Sequence, residues 1–213
     1  MNLFALIRAA DKEAVRELLE HRPEAAEERD EEGVSAIRRA VYAGKDEIAT
    51  ILLDANPALD VFDAAAVGRT RGLEALLAGD PELARARASD GFTALHLAAF
   101  FGHEDAAALL LEHGADANAV AHDAELELAP LHSAAAGGNS KLVALLLEHG
   151  ADPNARQPGG STALHAAAQN GDRESVEALL ERGADRAART DEGRTAAELA
   201  AAASHDDVRQ LLA

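Results

Sequence analysis

Apolar and polar positions in this chain alternate between two helical frames separated by glycine. Leu95, Ala98 and Ala99 have the spacing of one buried helix face, and Leu110 and Leu111 belong to a second. Thr93 stands where an N-cap is needed, Gly102 closes the first helix, and a second runs from about Glu104 to Glu112 with Gly114 just past its end. Asp90-Gly91 is a turn dipeptide. The same frame recurs. Leu-Leu pairs fall at Leu18-Leu19, Leu52-Leu53, Leu76-Leu77, Leu110-Leu111, Leu146-Leu147, Leu179-Leu180 and Leu211-Leu212, at offsets of 34, 24, 34, 36, 33 and 32 residues. A fixed period of this size predicts a solenoid of stacked helix pairs, each touching only its neighbours, with an extended concave face.

The irregular offsets are informative. Twenty-four residues between Leu52 and Leu76 leave no room for a projecting loop. Asn56-Pro57 there has the form of an N-cap followed by a first-turn proline, so the second helix of repeat two is expected to pass straight into repeat three. The offset of 36 places three extra residues in Val120 to Ala129 and predicts a longer loop before Pro130. Repeats one to three otherwise keep a small residue nine positions before the second Leu, at Ala10, Gly44 and Gly68. The resulting single array divides at 1–31, 32–56, 57–88, 89–121, 122–157, 158–190 and 191–213. Its ends are loaded with polar groups, Lys12, Glu13, Arg16, Glu17 and Glu20 at one and Asp206, Asp207, Arg209 and Gln210 at the other, as terminal caps require.

The best-formed unit reads Gly91-x-Thr93-x-Leu95-His96-x-Ala98-Ala99, then Gly102-His103, then Leu110-Leu111-x-x-Gly114-Ala115-Asp116-x-Asn118. Pro130-Leu131-His132 with Leu146 to Asn154, and Thr162 to His165 with Leu179 to Asp185, repeat it in register. This pattern resembles the ankyrin repeat, as a stand-alone array of the bacterial type. The resemblance implies an all-α solenoid of helix-turn-helix units with β-hairpin finger loops, whose concave side binds other proteins. Ala94, Ala163 and Ala196 depart from it by standing where the family has proline.

Composition narrows the chemistry. With no Cys, thiolate zinc sites, disulfides and thiol nucleophiles are excluded, and nothing points to an oxidising compartment. No N-terminal leader pattern and no membrane-length apolar run is visible, so a cytoplasmic, monomeric protein without cofactor or metal is expected. A net charge of −18 opposes nucleic acid and anionic lipid. Between Arg87 and Lys141 there is no Lys or Arg at all. Arg69, Arg71, Arg85 and Arg87 form a small basic group, expected to be a solvated surface balancing Glu74, Asp80 and Glu82.

Of nine histidines, His96, His132 and His165 share one repeat position, His103 and His205 another, and His21, His113 and His149 a third. The resemblance implies that the first set bonds locally to the turn Thr. His122, in the long finger, has no counterpart, and a lone His there is a solvated loop residue more readily than a ligand. No nucleophile elbow or phosphate loop is present, and Gly159-Gly160 is a finger turn.

The scarce aromatics are clustered. Phe92 precedes Thr93, Phe100 and Phe101 lie between Ala-Ala and Gly102, and Tyr42 has the register of Phe100. They form either a partner-contact patch or, with Leu126 and Leu128 folded over them, an internal cluster. The candidate contact residues are Tyr42, Asp90, Phe92, Phe100, Phe101, Gln169 and Asn170, and the expected partner is a protein presenting basic and apolar groups. The alternatives are a regulatory inhibitor that blocks a basic enzyme surface and, more remotely, an enzyme or metal site near His122.

Overall fold

The computed structural model describes residues 2–123 and 126–213, with residues 122, 123 and 126 described as backbone only. The described residues form seven antiparallel helix pairs: α1 (Leu3–Ala9) with α2 (Lys12–His21), α3 (Ala36–Tyr42) with α4 (Asp46–Asp54), and α5 (Val61–Ala66) with α6 (Thr70–Gly79). The series continues with α7 (Ala94–Phe100) and α8 (Glu104–Glu112), α9 (Pro130–Ala136) and α10 (Ser140–Glu148), α11 (Ala163–Asn170) and α12 (Arg173–Glu181), and α13 (Ala196–Ala202) and α14 (Asp206–Leu212). First helices stack on first helices and second on second, save that α4 and α6 are not closely packed. Strands β1 (Ala121–Asp123) and β2 (Leu126–Leu128) pair antiparallel in the long finger, with Ala121 opposite Leu128. Shorter fingers carry single bridges, such as Arg87 to Thr93 and Arg189 to Thr195.

The turn inside each pair needs one left-handed residue, which caps the first helix and reverses the chain. Ala10, Gly44, Gly68, Gly102, Gly138, Gly171 and Ser204 fill that position, all at positive φ. Close approach reinforces the choice of glycine in the middle of the stack. A Cβ on Gly68 would lie 2.6 Å from His103 of the next repeat, and one on Gly171 2.5 Å from His205. Ala10 and Ser204 occupy the first and last turns. Ser204 also corrects the sequence register: it stands 33 residues after Gly171, so Leu212, not Leu211, matches Leu179 in the core.

First helices are short and Ala-rich, so neighbouring axes approach closely over Ala40, Ala65, Ala98, Ala99, Ala135 and Ala168. Second helices contribute Leu52, Leu77, Leu110, Leu146 and Leu179, all fully buried. The apolar core is not continuous. One cluster runs from Leu3 to Leu52 and another from Val61 to Leu212; half-buried Leu59 packs against both.

That seam coincides with the 24-residue offset. No strand or bridge occurs between Asp54 and Phe62, as the offset predicts, but the helices do not fuse. Asn56 is left-handed (φ 54°) and follows the end of α4; 57–59 carry no regular secondary structure, and Asp60 is the N-cap of α5, its carboxylate accepting from the Asp63 amide at 2.7 Å. The sequence expectation at Asn56-Pro57 fails because Asp60 supplies a stronger cap three residues before the helical amide that needs it.

Leu110→Ala or Leu146→Ala deletes a side chain buried between repeats and is expected to cost about 2–5 kcal/mol in urea unfolding. His103 is half-buried, with Nε2 3.0 Å from the Ala66 carbonyl. His103→Ala is therefore expected to cost about 1 kcal/mol, less than either leucine but measurable.

Candidate functional site

The concave face is built by the first helices and the fingers at their starts, and one helical position sets how these are joined. In repeats four to six the third helical residue after the N-cap points toward the next finger. In repeat four this is His96: Thr93 Oγ1 lies 2.7 Å from Nδ1, the Thr93 amide donates to Nδ1 at 3.3 Å, and Nε2 meets the Leu128 carbonyl of the next finger at 2.8 Å. The carbonyl requires the proton on Nε2, which fixes a neutral tautomer. His132 and His165 repeat the arrangement, their Nε2 atoms 2.9 Å from the Ala155 carbonyl and 3.2 Å from the Arg194 carbonyl. Burial, which disfavours imidazolium, holds His96 down to about 4 and lowers His132 and His165 below the ordinary value, against the pull of those carbonyls.

Where the next finger is missing, the residue changes. Arg38 takes the histidine position in repeat two and is 1 % exposed. With no finger carbonyl to reach, its Nε donates to Asp63 Oδ1 at 3.0 Å and its Nη1 to Asp90 Oδ2 at 3.2 Å, while the guanidinium lies 5.6 Å from the Phe62 ring centre. Asp63, at the same position in repeat three, also accepts from Ser35 Oγ at 2.6 Å. Burial opposes the Arg38 charge, but Asp63, Tyr42 and Asp90 hold its pKa above the ordinary arginine value. Burial and neighbouring Asp60 push the Asp63 carboxyl up, against Ser35, Arg38 and Arg29. The two ends differ because the guanidinium is shared among several acceptors, whereas the small carboxylate has a like charge beside it.

The aromatic patch grows out of this network. Tyr42 donates to Asp90 Oδ2 at 2.8 Å, and its ring stacks on Phe101 with centroids 6.1 Å apart and planes 13° from parallel. Phe100 meets Phe101 edge-on at 5.0 Å. Ala66 holds the Tyr42 register in the intervening repeat, and its small side chain lets the rings of repeats two and four meet. Phe100 is 54 % exposed and Tyr42 36 %, whereas Phe101 is half-buried against the core. Phe100 is therefore open to contact, while the side chain of Leu126, expected to fold over the aromatics, lies outside the described residues.

The other candidates are placed differently. Phe92 is half-buried, edge-on to His96 at 5.9 Å. Asp90 is committed to Arg38 and Tyr42 and orients the patch from within. Gln169 is exposed, but the Asn170 amide turns to the Ala135 and Ala136 carbonyls at 3.1 and 3.0 Å, because it sits one residue before a turn that the previous repeat overhangs. The side chain of His122 lies outside the described residues.

The basic group is not simply solvated. Arg85 Nε donates to the Gly114 carbonyl at 2.8 Å and Arg87 Nη1 to the Val120 carbonyl at 2.6 Å, tying repeat four's approach to the finger beyond it. Arg156 does the same to the Arg189 carbonyl at 2.9 Å, and Arg29 reaches Asp60 at 2.9 Å. Sequence inspection missed this arginine row and the Arg38, Asp63 and Glu198 row. The available signal was position: Arg29, Arg87, Arg156 and Arg189 each stand six residues before an N-cap, and Arg38, Asp63 and Glu198 three after one.

Among the described residues no group of three His, Asp or Glu could hold a metal ion, and no helix is long and apolar enough to cross a membrane. Comparison with known proteins agrees with the fold. A family model described as ankyrin repeats (3 copies) matches residues 61–157 and 131–213, more than half of the chain. The chain belongs to the ankyrin-repeat family, whose members are generally protein–protein interaction modules and typically not enzymes. It is similar to a "Probable E3 ubiquitin-protein ligase XBOS31" of Oryza sativa subsp. japonica, 41 % identical over 70 residues, which is 32 % of this chain and 16 % of that protein. The chain thus spans only a small part of that relative.

The buried histidines predict a pH dependence. Protonation favours the unfolded chain wherever the folded pKa is the lower, so the stability from His96 is complete above about pH 6.5 and lost as pH falls toward about 4. That one group corresponds to at most about 3 kcal/mol. Urea midpoints should fall between pH 7 and pH 5, and His96→Gln should flatten the slope. Parallel curves for the two proteins would contradict the assignment.

Proposed function

We propose that this protein is a non-enzymatic interaction module, a monomer in the cytoplasm, that holds a protein partner on its concave palm and fingers. The observation that supports this most is an exposed aromatic, Phe100, supported by Phe101 and, through it, by Tyr42. Large apolar groups exposed together are favoured contact anchors. Tyr42, Phe100 and Gln169 are the direct contacts; Asp90, Phe92, Phe101 and Asn170 set their positions.

The partner presents apolar groups flanked by Lys or Arg. Phe92, Phe100 and Phe101 lie in a stretch from 88 to 140 without a positive charge, on a chain of net charge −18. A groove of about 1030 Å³ opens beside Tyr42, but its charges are largely paired, Arg39 with Asp30 and Glu32, and Arg22 with Glu28. Acid–base catalysis needs groups in unlike environments within a cleft, and these are matched pairs. The ligase activity named for the rice protein is not carried over, since the similarity spans 16 % of it.

Capture from a native lysate tests the proposal, with Phe100→Glu as the control. Loss of a central anchor costs about 2 kcal/mol or more of binding. Capture of the specific partner should therefore drop at least tenfold while the thermal midpoint moves by no more than about 2 °C. Undiminished capture by the variant would remove Phe100 from the contact surface.

A further inference from the structure

The candidate contact surface is assembled from two parts of the chain that are joined unlike any other neighbouring repeats. Tyr42 belongs to repeat two, and Asp90, Phe100 and Phe101 to repeat four and its finger. Between them runs the break in the apolar core, bridged only by half-buried Leu59 and Val67 among the described residues. It also lacks the finger whose carbonyl elsewhere receives a buried histidine. Charged and aromatic side chains do the joining instead: Arg29 to Asp60, Arg38 to Asp63 and Asp90, and Tyr42 to Asp90 and Phe101. The connecting segment 56–60 has no regular secondary structure and begins at left-handed Asn56.

We propose that repeats one and two open as a unit about residues 55–60 while the other five stay stacked, with the Tyr42–Phe101 stack as the clasp. Apolar packing is cooperative within each cluster, whereas the seam is held by a few directional contacts that are lost together when the two faces part. Opening separates Tyr42 from Phe100 and leaves the contact surface incomplete. The functional consequence rests on the concave-face proposal above. A partner that touches both residues binds the closed form alone, and so shifts the equilibrium toward closure in proportion to its preference.

Native-state hydrogen exchange on the full chain, read by mass spectrometry at low urea without any partner, tests this independently of the binding proposal. Amides of α1–α4 should exchange through one shared opening, with a step in protection at 55–60 and slower exchange in α7–α12. Phe101→Ala should speed exchange across α1–α4 by tenfold or more and leave α9–α12 within about twofold. Tyr42→Phe, which keeps the ring but loses the Asp90 bond, should give a smaller rise in the same helices; if Phe101→Ala unfolds the whole chain, this variant decides. A smooth gradient from α1 through α6 would mean simple fraying from the end and would overturn the proposal. So would a rise spread evenly over all seven repeats in Tyr42→Phe.

Discussion

In repeats two to six the third residue of the first helix has to be satisfied by a neighbouring repeat, and much of the structure is arranged around that requirement. It is buried by the stacking itself, so any polar group there costs free energy unless it is bonded. A neutral histidine meets the condition twice over, accepting from its own N-cap and donating to a carbonyl in the next finger. This couples the start of a helix to the placement of a finger about thirty residues ahead. It also explains why no buried side-chain nitrogen or oxygen is left without a partner among the described residues.

The requirement accounts for the exceptions as well. Repeat two faces a segment too short to make a finger, so the carbonyl is absent and the histidine is replaced by Arg38, long enough to reach Asp63 and Asp90. In the seventh repeat the position holds Glu198, which is exposed, closes a capping box with Thr195 and lies 3.7 Å from Arg189. A buried pair such as Arg38–Asp63 adds little stability over a well-packed apolar pair, but losing one partner is severe. Its value here lies in geometry: by fixing Asp90 it fixes Tyr42, and through Tyr42 it sets the ring that backs Phe100.

Local features of the repeat were legible in the sequence because each rests on near neighbours. Thr93 as N-cap, Gly102 as the turn, the bounds of α8 and the long finger before Pro130 all follow from spacing within one unit. The failures are those that depend on distant residues. Asn56-Pro57 has the local form of a helix start, yet Asp60 takes the cap because α5 begins where it can pack on α3 and α7. The Tyr42–Phe101 stack joins residues two repeats apart and needs a small Ala66 between them, a relation that pairwise register does not reveal. Asn170 looked like a free concave polar group, and its amide is spent on two carbonyls of the preceding repeat.

The central claim is that an ion pair replaces the histidine-to-finger tie at the one seam without a finger. A double-mutant cycle on Arg38→Met and Asp63→Leu in urea unfolding measures it directly. Each single change takes from a buried charge its principal partner, leaving Arg38 with Asp90 alone or Asp63 with Ser35 and the more distant Arg29, whereas the double change leaves an apolar contact, so strong non-additivity is expected, a coupling of about 2 kcal/mol or more with the double variant more stable than Asp63→Leu alone. Additivity within about 0.5 kcal/mol would mean that the two side chains act independently, and that the seam is held by something other than this pair.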